Sequence, residues 1–191
     1  MEKGYRVTFE CYDKQNPTAI LSKVTVLEGG IEKPSNCLDF SIGLKNQINL
    51  IKNVQDQVLV EKSKLLNAEI ETCPHCSTKL AKFGSQYSQF CDVFTDHKIQ
   101  IQRLKCRKCK YERPSSVKEV INSAMSGDLM KIQAKLGSNY SYRDSEEIFE
   151  QFSNGPRQIN NHDRIKHVVE SVGNSVERMD KEEKEMALLR F

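Results

Sequence analysis

No stretch of this 191-residue chain approaches the run of about twenty apolar residues that a membrane-spanning helix needs. The opening MEKGYRVTFE lacks the basic-then-apolar layout of a secretory leader. The expectation is a cytoplasmic protein with no membrane partner. Catalytic signatures are missing as well. There is no glycine-rich phosphate loop, no His-x-x-x-His metal motif and no Ser, His and Asp grouping, so no enzyme is expected. Tryptophan is absent, and the cysteine count of seven is odd, which suits a disulfide framework poorly.

Four of those cysteines form two Cys-x-x-Cys pairs, Cys73 with Cys76 and Cys106 with Cys109. Each such turn offers two thiolates, and two turns brought together by a hairpin complete the tetrahedral shell of a structural Zn2+. Metal binding then supplies folding free energy that a short hairpin cannot draw from its own apolar area. A redox pair or an iron-sulfur cluster are the rival uses of these cysteines. His75 in the first turn and His97 in the hairpin turn are alternative ligands, and Cys91 is a fifth candidate thiolate. Cys11, Cys37 and Cys91 read most simply as small buried hydrophobes.

Charge is segregated along the chain. Residues 1–72 carry a net −1, residues 73–126 a net +6 and residues 127–191 a net −2. The middle segment, with Arg103, Lys105, Arg107, Lys108, Lys110 and Arg113 around the second cysteine pair, favours an anionic partner, nucleic acid first. A plain solvated basic face is the other reading.

Periodicity sets the expected fold class as α+β. Residues 5–41 alternate as strands, with Gly29-Gly30 marking a turn. From about Gly43 to Asn67 the pattern is helical, with Leu44, Ile48, Ile51, Val58 and Leu65 largely on one stripe. The seven-residue spacing permits a coiled-coil homodimer, although Gln55 and Lys62 occupy the alternating seam; packing on the chain's own sheet is the leading expectation. Residues 87–94 and 97–105 form a hairpin about Thr95-Asp96, and Ser116 with Glu119 makes a capping box. Helices follow over 128–136, 141–152 and 160–172, the last two separated by SNGPRQI, the outline of a helix-turn-helix. Asn160, Asn161, His162, Arg164, Lys166 and His167 are the expected outward residues of the second helix, suited to base edges or phosphate. The expected domains are 1–70 (small sheet plus long helix), 71–114 (four-cysteine zinc ribbon), 115–179 (helix-turn-helix bundle) and 180–191 (charged helix or tail).

The order of these parts, with ETCPHC, a hairpin ending in RLKCRKC, then LGSNYSYRDSEEIF and INNHDRIKHVV, resembles the N-terminal half of one group of bacterial insertion-sequence DDE transposases. The likeness runs over about residues 40 to 178. LGSNYSYRDSEEIF is similar to that family's Ala-x-x-x-Ser-Tyr helix start. The resemblance implies that the four cysteines hold zinc and that the helices around Tyr142, Arg143 and Arg164 contact transposon-end DNA. That family's catalytic RNase H-like domain would begin beyond Met179, so duplex-DNA binding without transposition chemistry is what it implies for these residues. Two other readings stand beside it: an antitoxin-type repressor that grips a protein partner through its N-terminal region, and a zinc-ribbon interaction module of a mobile-element or defence complex.

Overall fold

The computed structural model describes residues 3–35, 40–121, 124–153 and 155–188, the last nine by backbone alone. It is α+β, with small antiparallel sheets and five helices among the described residues. Two units can be distinguished, residues 1–90 with 94–124, and residues 91–93 with 125–191.

The first unit opens with strands β1 (Lys3–Tyr12) and β2 (Ile20–Ile31), paired antiparallel from Lys3 opposite Ile31 to Tyr12 opposite Ile20. The connection is an Asp13-to-Ala19 turn in which Asp13 Oδ1 accepts from Gln15 N at 2.8 Å. A bulge leaves Val26 without a cross-strand partner between the Val7–Leu27 and Thr8–Thr25 pairs. Helix α1 (Leu44–Ala68) packs on β2 and resolves that defect, because Asn53 Nδ2 donates to the freed Val26 carbonyl at 2.8 Å.

Strands β3 (Leu80–Cys91), β4 (Asp96–Cys106) and β5 (Glu112–Pro114) form a second sheet in that order, and the one-turn helix α2 (Val117–Val120) follows. Ile99 and Ile101 of β4 point inward with Val117 and Ile121, and Leu59 and Leu66 of α1 close over them. Alternation explains β4: its odd-numbered residues 97, 99 and 101 are buried while Lys98 and Gln100 face solvent.

The second unit packs helices α3 (Gly127–Asn139), α4 (Tyr142–Ser153) and α5 (His162–Leu188) around Phe149, Leu129 and Ile165, with Cys91 and Met125 in the same core. Each helix starts on a side-chain cap three residues upstream of the amide it receives. Ser126 Oγ accepts from Leu129 N at 3.2 Å, Ser141 Oγ from Asp144 N at 3.1 Å, and Asn161 Oδ1 from Arg164 N at 2.9 Å. Asp128, Asp144 and Asp163 place a carboxylate in each first turn, where the helix dipole favours it. Arg157 fixes the loop after α4, donating to the Val93 and Asp92 carbonyls at 3.0 Å each.

Several expectations change. Gly29-Gly30 lies inside β2, not in a turn: a methyl at Gly29 would sit 2.7 Å from Tyr5 Oη, so glycine there admits the tyrosine ring. The hairpin turn falls at 92–95, which puts Asp96 and His97 in β4 and buries Thr95. No capping box forms, since Ser116 is already helical and Glu119 pairs with Arg113. On α1 the expected stripe is only partly the packed face: Ile48 is buried and Val58 half-buried, but Leu44 and Leu65 are 55% and 73% exposed, and Leu59 and Leu66 pack on the β4 core. The boundaries expected at 70 and 114 vanish because α1 and α2 share one core with β4. The third helix of the last unit runs unbroken from His162 to Leu188, so the charged segment expected as helix or tail from residue 180 is helical as far as Leu188 and joins the helix expected over 160–172. Cys37 lies outside the described residues, and Cys11 is half-buried.

Two glycines give the packing of α5 a test of sign. A Cβ at Gly137 would lie 2.7 Å from Val169 Cγ2 and 2.9 Å from Ile165 Cγ2, whereas one at Gly173 meets nothing within 4 Å. Gly173→Ala is expected to stabilise by about 0.5–1 kcal/mol through helix propensity. Gly137→Ala is expected to lose about 1–3 kcal/mol to overpacking. Urea unfolding of both variants checks the pair, and equal effects would refute the close approach of α3 to α5.

Candidate metal centre

The two cysteine turns are built alike, at the two ends of chain that bracket the β3–β4 hairpin. In the first, Cys73 N donates to Thr78 O at 2.9 Å and Ser77 N to Cys73 O at 2.9 Å. In the second, Cys106 N donates to Tyr111 O at 2.8 Å and Lys110 N to Cys106 O at 3.1 Å. The fourth residue after each leading cysteine takes a positive φ, 54° at Ser77 and 65° at Lys110. That conformation is uncommon for side-chain-bearing residues, so both turns hold backbone geometry at a cost that their surroundings offset. A Thr72–Lys79 bridge closes the first turn, and β5 pairs with β4 behind the second.

The result is a four-sulfur cluster. Cys73 and Cys109 sulfurs are 3.4 Å apart, Cys76 and Cys106 3.5 Å, Cys76 and Cys109 3.8 Å, and all four lie within 4.8 Å of one another. A tetrahedral ion with metal–sulfur bonds of about 2.3 Å requires sulfurs about 3.8 Å apart, so the residues present fit such an ion. Four protein ligands would leave no open coordination position on such an ion. Cys73 and Cys106 are buried and Cys109 is exposed. Hydrogen bonds from the Thr78 side chain and backbone, then from Cys106, bring the Cys76 thiol down to about 6. At Cys109 the Tyr111 amide lowers the value, but the neighbouring sulfurs and burial outweigh it and leave the thiol at about 12. Metal is bound by the thiolate form, so metal binding at this cluster would release protons.

His75 is not in the cluster. It is exposed, its ring edge-on to Tyr111 at 4.8 Å between centroids. His97 is fully engaged elsewhere: Nδ1 lies 2.7 Å from Asp56 Oδ1 and Nε2 2.9 Å from Thr95 Oγ1. This tie of β4 to α1 carries no sequence motif, and only the apolar-polar alternation around His97 hints that it points inward. Cys91 belongs to the core of the second unit.

The expected cationic residues divide into groups. Arg103 and Lys105 both pair with Glu112, which holds that carboxyl below its usual range, Lys105 contributing most. Both cations also lie over the Phe83 ring, at 5.7 and 4.5 Å. Arg113 pairs with Glu71 and Glu119. Arg107, Lys108 and Lys110, on the second turn, are exposed and form no ion pair among the described residues. In the second unit, Asn160 is buried, receiving a Gln133 amide hydrogen bond at 2.9 Å, and so does not face outward. Asn161 is occupied as the α5 cap, His162 is joined to Glu146 at 2.8 Å, and Tyr142 packs on the core. Arg143, Arg164, Lys166 and His167 are exposed, the last two within 3.9 Å of Glu170.

Zinc titration against a chromophoric chelator is expected to give one ion per chain, with apparent affinity falling more than tenfold per unit as pH is lowered from 8 to 6, because protons compete for the sulfurs. Cys106→Ser should abolish that uptake; retention of stoichiometric zinc would show that the sulfurs are not the ligands. Comparison of the chain with family models, with curated proteins and with solved structures returns no match.

Proposed function

We propose that this chain is a non-catalytic, zinc-dependent binder of duplex DNA, of transposase ancestry, in which the cysteine hairpin is a zinc ribbon and α4 with α5 is a helix-turn-helix. One observation carries this reading. Arg107, Lys108 and Lys110 stand exposed and free of ion pairs, among the described residues, on a turn whose backbone the cysteine cluster would immobilise. Cations on a rigid turn lose little freedom on meeting phosphate, which suits a positioning contact. The connection from α4 to α5, with its 3-10 turn Gln158–Asn160 and an asparagine cap, supports the helix-turn-helix reading. Arg164, in the first turn of α5, has the donor fork that reads guanine.

A second reading has its own observation. The first unit leaves Leu21, Ile31, Phe40, Leu65 and Ile70 more than half exposed. Apolar surface of that kind suits the protein partner of an antitoxin-type repressor or an interaction module.

Binding of the zinc-loaded chain to a pool of random duplexes at two salt concentrations separates the readings. An enriched motif with steep salt dependence is expected. Arg107→Glu, Lys108→Glu and Lys110→Glu should each weaken binding to all sequences and reduce the salt slope by about 1, while Arg164→Ala should cost about 1–3 kcal/mol at one base position. Duplex affinity that survives reversal of all three turn charges would overturn the ribbon's part. Absence of any duplex binding at low salt would favour the protein partner.

A further inference from the structure

We infer that the first unit carries a nucleotide-binding groove between α1 and the β3–β4 hairpin, distinct from the cationic cysteine turn. The cavity there has a volume of about 820 Å3, within the range of small-molecule sites. Leu59 and Val60 of α1 give it an apolar wall, and Tyr87 of β3 stands at its edge, 70% exposed. Among the described residues, no aromatic ring and no cation covers the Tyr87 face, whereas Phe83, four residues earlier, is covered by Arg103 and Lys105. An open tyrosine ring beside an apolar wall is a stacking platform for a planar heterocycle.

The charges around the groove are complementary to phosphate. Its lining includes four lysines and two aspartates. Asp56 is held by His97 Nδ1 at 2.7 Å, Asp96 is engaged within the fold, and Lys64 pairs with Glu61 at 2.7 Å. Lys52, Lys82 and Lys98 come from α1, β3 and β4 and form no ion pair among the described residues. Three lysines from three elements thus line one cavity, whose two aspartates are each engaged within the fold. A ligand with an aromatic base and an adjacent phosphate satisfies both halves, and a free mononucleotide and a nucleotide within a single strand share that chemistry. An acidic peptide would use the lysines but leave the open ring without a partner.

The test uses the full zinc-loaded chain and two probes, 2′-deoxyadenosine 5′-monophosphate and a fluorescein-labelled twelve-residue oligo-dT, at low and moderate salt. Saturable binding of either is expected. Comparable affinity for the two marks a free-nucleotide site, and an affinity for the strand at least tenfold higher marks a strand groove. Tyr87→Ala and Lys98→Glu, both at exposed positions, should each weaken binding tenfold or more with zinc content and thermal unfolding unchanged, and Tyr87→Phe should retain it. Duplex binding through Arg107, Lys108 and Lys110 should be unaffected by these substitutions, so failure here and failure of the DNA reading are separately visible. Binding of neither probe, or equal binding by wild type and both disruptive variants, overturns the groove. Displacement by inorganic phosphate as readily as by the nucleotide overturns the base-stacking half.

Discussion

The convergence of four sulfurs within 4.8 Å is the constraint on which the first unit depends. A β-hairpin of two strands is marginal in water by itself, and β5 adds only three residues to the sheet. The cysteine turns join the open end of that hairpin, where β3 begins and β4 ends. At the opposite end, the buried His97 ties the start of β4 to Asp56 on α1. Between these two fixtures lie Ile99 and Ile101, which with Val117, Ile121 and the Leu59–Leu66 face of α1 form the core. Removing Asp56 would leave the buried His97 ring without one of its two partners, which is what holds the histidine end closed. The sheet is therefore held at both ends by polar or ionic chemistry and along its middle by apolar packing.

How much of this could be read beforehand follows from what each signal encodes. The cysteine spacing is local and chemical, and all four residues fall where the two turns demand. The extents of α1 and of the later helices are also local, set by period and by caps such as Ser126, Ser141 and Asn161. Choosing the packed face of α1 is different, because Leu44, Ile51, Val58 and Leu65 repeat every seven residues while Leu59 and Leu66, also seven apart, are the pair that β4 meets. Two interleaved apolar stripes on one helix are equivalent until a partner selects one. Gly29 and Asn160 fail for the same reason: the glycine is explained by the Tyr5 ring across the strand pair, and the asparagine by Gln133 on another helix. Neither partner is near in sequence.

Formal charge overstates what the middle segment offers to an anion. Among its cations, Arg103, Lys105 and Arg113 are drawn into pairs with Glu112, Glu119 and Glu71, and two of them shield Phe83. Exposed pairs of this kind add little stability, typically under about 1 kcal/mol each. Their larger effect is to sort the surface. Pairing of the strand cations leaves Arg107, Lys108 and Lys110 on the second cysteine turn, and Lys82 and Lys98 beside Tyr87, without ion pairs among the described residues.

Both places hang on the same hairpin, and that has a consequence for how they can be told apart. Stripping metal would release the cysteine turn directly and would loosen the ends of β3 and β4, and Lys82, Tyr87 and Lys98 ride on those strands. Loss of binding in metal-free protein would thus look the same whichever surface holds the ligand. Point changes at exposed side chains avoid this ambiguity, because Lys98 and Tyr87 contribute nothing to the buried core while Ile99, the residue after Lys98, stays in place. The alternation of β4 separates packing from exposure residue by residue: its inward side chains build the unit, and Lys98 and Gln100 are left to face solvent.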